Sequence, residues 1–378
     1  MINRPTSRSK SKMKQLQKGQ RKYMRQANQA APDDDTPTPA FLPPVRADII
    51  QSAQGDVYKV EDPDYVEPET HKLVTYQVHG DQITDPTFEM VPDDLAAEAQ
   101  DIEHQQEAWK LFATLIPPES RQMISQFVVM TDGKDETIAA VDYADDDPTH
   151  WALEVDIADL DDKDALVFDL VHEFAHLLTL NETQAAIDEE LAKNPDDQTL
   201  LKNKAAHCPD YFTGMGCSRP GSYVNLFYRR FWRQINAEWE KIDGLQYKDD
   251  LTPYYNGLHD FYESHLDQFV DDYAATHPTE DIAESFAYFV FSPKPPGNSI
   301  KEQKMKFFYE FPELSMLRDE ILKGTCRELS FTTYTKPRNC RRHHVHFRRM
   351  GRHSWEGDDD KDASAEFPGK RTPGKWPH

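Results

Sequence analysis

The residues best placed to do chemistry stand together in LVHEFAHLL, where His172 and His176 are four apart and Glu173 follows the first histidine. A helix repeats every 3.6 residues, so both imidazoles fall on one face and can offer neutral nitrogens to one ion at about 2.0 Å. Zinc bound in this way needs a third protein ligand and keeps one position open for water. The carboxylate beside the first histidine can take that water's proton. The string also arises by composition in a chain with 15 histidines and 67 acids, and a hydrogen-bonded histidine pair in an ordinary core would use the same residues. The setting argues for the ion. Eleven of the sixteen residues from 165 to 180 are apolar, so these polar side chains are expected to be buried and to need partners.

A third ligand has to come from elsewhere in the chain, and HPTEDIAESFAYFVF is the best supplier. Pro278 suits a first helical turn, and Glu280 and Glu284 are four apart on one side, with Ile282, Phe286 and Phe289 facing inward. Two acids on one side repel unless a cation or a histidine answers them. Glu280 is therefore expected to bind the metal and Glu284 to accept the N–H of a ligating imidazole, fixing its tautomer. A solvated acidic helix edge is the alternative. Glu182, close after the first helix, is a second candidate for the third ligand. A metzincin arrangement fails, because Thr179 and Glu182 stand where it needs glycine and histidine. A cysteine ligand upstream of the helix is excluded, since the first cysteine is Cys208.

The elements that must hold these groups can be read from patterning. HKLVTYQVHGDQI alternates as a hairpin about Gly80 and Asp81, and Ile102 to Leu115 carries Ala108, Leu111, Phe112 and Leu115 at helical spacing before Pro117. SQFVVMT, TIAAVDY and HWALEVDI read as three short strands, the last expected at the sheet edge where an extended peptide could pair with it. The apolar HExxH helix follows. Beyond it the chain reads as helical: one long helix with Tyr223, Phe227, Phe231, Ile235 and Trp239 as a core stripe, then helices near 254–269, 279–291, 300–311 and 312–322, with Gly324 as a stop.

Composition bounds the rest. The formal charge is -24 over 378 residues, yet the first 32 residues hold nine bases and no acid, and residues 336–352 hold seven more. Residues 33–335 carry 61 acids against 23 bases, which repels nucleic acid and favours basic peptides. Residues 1–40 are expected to be a disordered basic segment, 41–335 the folded domain, and 336–378 a disordered tail. No apolar stretch is free enough of charge to span a membrane. No apolar h-region follows the basic start, which points to the cytoplasm. A bridge between Cys208 and Cys217 would point to an oxidising compartment instead. A monomer is expected.

LVHEFAH followed far downstream by TEDIAESFAYF resembles the gluzincin metallopeptidases, and DYAATHPTEDIAESF is similar to the corresponding stretch of anthrax lethal factor. The stretch 150–292 also resembles bacterial sequences classed as zinc-binding metallopeptidases. The resemblance implies an α+β zincin-like domain with a small, mostly antiparallel sheet, the HExxH helix and a mainly helical remainder. It implies a Zn2+ ion held by His172, His176 and Glu280, with Glu173 as general base and Glu284 bracing a histidine. Tyr273, seven residues before Glu280, would stabilise the oxyanion, with Tyr211, Tyr223, Tyr254 and Tyr255 as rivals. The implied activity is peptide-bond hydrolysis. The alternative is a zinc-holding binding protein of the same fold that does not cleave.

Overall fold

The computed structural model describes residues 69–328, apart from 134–136, 145–146, 195–196 and 249–251. The expected segment 1–40, the start of the fold near Phe41 and the tail 336–378 lie outside the described residues.

Strand β1 (His71–His79) turns through Gly80 and Asp81 into β2 (Gln82–Phe88). Gly80 sits at φ 66°, the left-handed position that opens a two-residue hairpin and that glycine adopts without strain. Helices α1 (Ala96–Ala99) and α2 (Ile102–Leu115) follow, α2 starting on an Asp101 side chain that accepts from the His104 backbone N–H. Strands β3 (Ile124–Thr131), β4 (Ala139–Ala144) and β5 (Asp147–Asp156) complete a five-stranded sheet in the order β2-β1-β3-β5-β4. Neighbours are antiparallel except β3 and β5, which run parallel, so the sheet is mixed.

The expected edge position of HWALEVDI is corrected here. β5 is paired on both sides, and β4 takes the edge because it folds back on β5 while the other side of β5 receives β3. Trp151 to Asp156 are all buried, as suits an interior strand.

Helix α3 (Lys163–Leu180) carries the HExxH residues and is buried almost throughout, with Asp162 capping its start through a bond from Ala165 N. After it come β6 (Ala185–Ile187), α4 (Glu189–Lys193), α5 (Gln198–His207) and β7 (Gly216–Ser218), with β6 and β7 forming a second, two-stranded sheet. A disulfide joins Cys208 to Cys217 across the intervening loop. The remainder is helical: α6 (Tyr223–Phe227), α7 (Asn236–Asp243), α8 (Thr252–Ser264), α9 (Pro278–Phe291), α10 (Ile300–Phe307) and α11 (Pro312–Glu328). The described residues thus form an α+β fold with eleven α-helices, more helical than stranded. None of these helices is long and apolar enough to cross a membrane.

Two further expectations are corrected. The single helix expected from 222 to 242 is broken by a π turn at Tyr228–Trp232. A strict four-residue step advances the face of an α-helix by about 40° each time, so a five-member stripe wraps round it, and the wider π turn winds the face back. Phe227, Phe231 and Trp239 all stay buried as a result. Gly324 does not stop a helix but lies inside α11, where a Cβ would come 2.3 Å from Thr114 O and 2.9 Å from Leu115 Cα of α2. It is glycine because two helix backbones meet there.

Every residue of α9 is buried, and the helix packs along α3 through Phe174 against Phe286 and through Phe168 against Tyr288 and Phe291. The far side of α9 is tied down by charge. Asp281 Oδ2 accepts from Trp232 Nε1 at 2.6 Å and pairs at 2.6 Å with Lys304 Nζ of α10, and all three side chains are fully buried. Lys304 also lies over the Phe269 ring, 4.1 Å from its centroid. This fixes the rotation of α9, so that Glu280 and Glu284 face α3.

Candidate metal centre

The two helices bring three atoms together. His172 Nε2 lies 3.0 Å from His176 Nε2, and Glu280 Oε2 lies 3.2 Å from the first and 3.3 Å from the second. Ligands placed tetrahedrally at about 2.0–2.1 Å from one ion stand about 3.3–3.4 Å apart, so the triangle has the size of one face of a zinc site. A single N–H between the imidazoles cannot also serve the carboxylate, whereas one cation satisfies all three lone pairs. The residues present fit a divalent ion with a soft preference for nitrogen.

Glu173 is near but outside this triangle. His172, Glu173 and His176 can each offer an atom within 4.8 Å of the others, yet Glu173 Oε1 is 4.0 Å from His172 Nε2, farther than Glu280. Its other oxygen, Oε2, accepts the Val141 N–H of β4 at 3.0 Å, and one helical turn earlier Asp169 Oδ2 accepts the Ala139 N–H at 2.9 Å. These are the outward-facing donors of the edge strand. Glu173 is thus held by one oxygen with the other turned towards the histidines.

Glu284 stands on the opposite side of His172, its Oε1 3.0 Å from Nδ1. Behind it, Asp271 keeps a proton: burial first, and then the Glu284 charge, push its carboxyl well above the usual range, and it hydrogen-bonds to Glu284. His172 therefore has an acid on each nitrogen. Burial alone would disfavour its charged form, but Glu284 and Glu280 outweigh burial and raise its proton affinity well above that of free imidazole. The same attraction, chiefly from His176, overcomes burial at Glu280 and holds it well below the carboxylate range. Burial pushes the Glu173 carboxyl up to about 7 against the pull of His176 and His172. The pocket demands positive charge at its centre and leaves one carboxyl poised near neutrality.

His277 caps α9, its Nδ1 accepting the Thr279 backbone N–H at 3.2 Å, and its ring meets Trp239 edge-on at 5.1 Å. Burial lowers its pKa to about 4, so the cap is a neutral ring.

The sequence candidates His172, His176, Glu280, Glu173 and Glu284 are thus brought together. Tyr273 is partly buried, with its ring centroid 5.8 Å from that of His172. Glu182 is exposed on the turn after α3, whereas the triangle is buried. Of the rival tyrosines, Tyr223 bonds Glu313 with its hydroxyl and Tyr254 is a buried residue of α8, whereas Tyr211 is close enough for the Glu280 charge to act on it. The Val141 and Asp271 contacts were not foreseen. Strand register alone reveals the first, and nothing local in the sequence marks the second.

No family model matches this chain, and no curated protein or solved structure matches it either.

Proposed function

We propose that this chain is a zinc-dependent endopeptidase with a zincin-like domain, in line with its residue-level resemblance to the gluzincins. The observation that carries the reading is the triangle of His172 Nε2, His176 Nε2 and Glu280 Oε2, with sides of 3.0, 3.2 and 3.3 Å. A bound zinc supplies acidification of a water and polarisation of a carbonyl at such a site. The other roles belong to the chain. Glu173 takes the proton of the attacking water at Oε1 while the Val141 N–H retains Oε2, and the same carboxyl then delivers the proton to the leaving nitrogen. Glu284 holds His172 in the tautomer that presents Nε2. Tyr273 is assigned to the carbonyl oxygen that gains charge. The substrate is a peptide, and the chain acts as a monomer. The Cys208–Cys217 bond suits an oxidising compartment.

A second reading, a zinc-holding protein that binds a partner without cleaving it, draws on one observation. The outward N–H groups of β4 from Ala139, Val141 and Tyr143 are taken by Asp169, Glu173 and Asp142 rather than left for a peptide. Zinc content and cleavage of a denatured protein pool separate the readings. Glu173→Gln is expected to keep its zinc and lose about 10²-fold or more of the turnover. Unchanged turnover removes the mechanism, and zinc without cleavage in the wild type favours the second reading.

A further inference from the structure

Strand β4 forms one edge of the five-stranded sheet, where outward N–H groups ordinarily stand open to solvent or to another chain. Its register determines which groups those are. Ala140 lies opposite Glu154, Asp142 opposite Ala152, and Asp156 N–H donates to Ile138 O at 2.9 Å, so the even-numbered residues turn their backbone groups to β5. Ala139, Val141 and Tyr143 turn theirs away, and each meets a carboxylate. Ala139 N–H donates to Asp169 Oδ2 at 2.9 Å, Val141 N–H to Glu173 Oε2 at 3.0 Å, and Tyr143 N–H to Oδ1 of its own neighbour Asp142 at 2.8 Å.

The first two bonds make a short ladder between a strand and a helix. Four residues of helix rise about 6.0 Å and two residues of strand about 6.6–6.8 Å, so acids at i and i+4 of α3 can meet N–H groups at i and i+2 of a strand that runs the same way. A third rung needs an acceptor at position 177, where Leu177 stands, and there Tyr143 is satisfied within its own strand. The two rungs differ in what else they do. Glu173 turns its other oxygen towards the histidines, with Oε1 4.0 Å from His172 Nε2. Asp169, one helical turn earlier, bonds the start of the strand. Both acids are buried, at 5% and 7% exposure, where a hydrogen bond to a carboxylate is strong. Val141 can hold Glu173 still only if β4 is itself fixed against α3, and the sheet ties β4 along one side only. The Ala139–Asp169 bond is the second attachment.

We propose that Asp169 is a positioning residue for Glu173: it pins β4 to α3 at Ala139, sets where Val141 N–H meets Glu173 Oε2, and so holds Oε1 in place for the attacking water. The pin rests on the distances above, and its purpose rests on the peptidase reading. Asp169 acts through β4 and not on the reacting atoms.

The full chain, loaded with zinc, is compared as wild type, as Asp169→Leu, which keeps the side chain's size without an acceptor, and as Asp169→Asn, whose amide oxygen still accepts from Ala139. Hydrogen exchange resolved to single amides is the first readout. Val141 is expected to exchange at least about tenfold faster in Asp169→Leu than in the wild type and within about threefold of it in Asp169→Asn, while the ladder amides of Ala140 and Asp142 stay slow in all three. The second readout is kcat and KM on a peptide identified from cleavage of a denatured protein pool. Asp169→Leu is expected to lose about tenfold or more in kcat with KM and zinc content unchanged, and Asp169→Asn to regain most of that loss. Ala139→Pro removes the same bond from the other side, at the first residue of the strand where proline is tolerated, and is expected to reproduce Asp169→Leu without adding to it in the double variant. Free exchange at Val141 in the wild type overturns the proposal, as does an Asp169→Leu protein with unchanged Val141 exchange or unchanged kcat. Faster exchange at Ala140 and Asp142 as well, or a loss of zinc, marks general loosening and overturns it too. A wild type that cleaves nothing while Val141 exchange follows Asp169 as stated supports the pin and overturns the peptidase reading, so the two fail separately.

Discussion

Changing Glu284 to glutamine removes one charge from the chain of contacts behind the proposed metal while keeping the side chain's shape. In the wild type the carboxylate meets His172 Nδ1 at 3.0 Å, with the histidine fully buried and the glutamate side chain 6% exposed. Loss of such a bracing contact lowers metal affinity by about 10–100-fold, or about 1.4–2.8 kcal/mol. The upper end is expected here. The new amide brings N–H groups into a space where Asp271 already donates, so two donors face each other without water to relieve them. Competition with a chromophoric zinc chelator near neutral pH measures the effect, with Glu280→Gln as comparator. Loss of a ligand is expected to weaken zinc binding more than loss of the brace. A Glu284→Gln protein with wild-type zinc affinity, or one as impaired as Glu280→Gln, refutes the division of labour between the two acids.

Gly324→Ala places a Cβ 2.3 Å from Thr114 O, so α2 and α11 must separate, and a loss of about 1–3 kcal/mol in urea unfolding is expected; an unchanged midpoint contradicts the close approach. Burial pushes Asp243 up to about 7, against about 3.9 in an unfolded chain, so the unfolded state gives up its proton first and this group's contribution to stability falls as pH rises from about 4 to about 7. Unfolding free energies across that range are expected to fall more steeply in the wild type than in Asp243→Asn, and parallel curves contradict the shift.

The HExxH helix and its partner were legible because their signals are local. Four-residue spacing at His172 and His176 and at Glu280 and Glu284 needs only helix geometry, and the two helices run close to their expected bounds. Strand existence was legible for the same reason, but strand order was not. HWALEVDI reads equally well at an edge or inside, and which of β4 and β5 is covered depends on which of them pairs with β3. The long aromatic stripe misled because its four-residue period suggests one helix, while packing required a π turn to keep it on one face. Gly324 misled in the opposite way: glycine ends helices often, but here the neighbouring backbone, invisible in sequence, requires it. Within the site, Val141 was hidden because its contribution is a backbone N–H, whose direction only register determines.

If His172, His176 and Glu280 share one cation, the zinc content of the purified chain reports it. Wild-type protein, stripped with chelator, reloaded with zinc and desalted, is expected to hold one zinc per chain, and Glu280→Ala carried through the same steps is expected to hold much less. A wild type that retains no zinc, or a Glu280→Ala protein that retains as much as the wild type, contradicts the account.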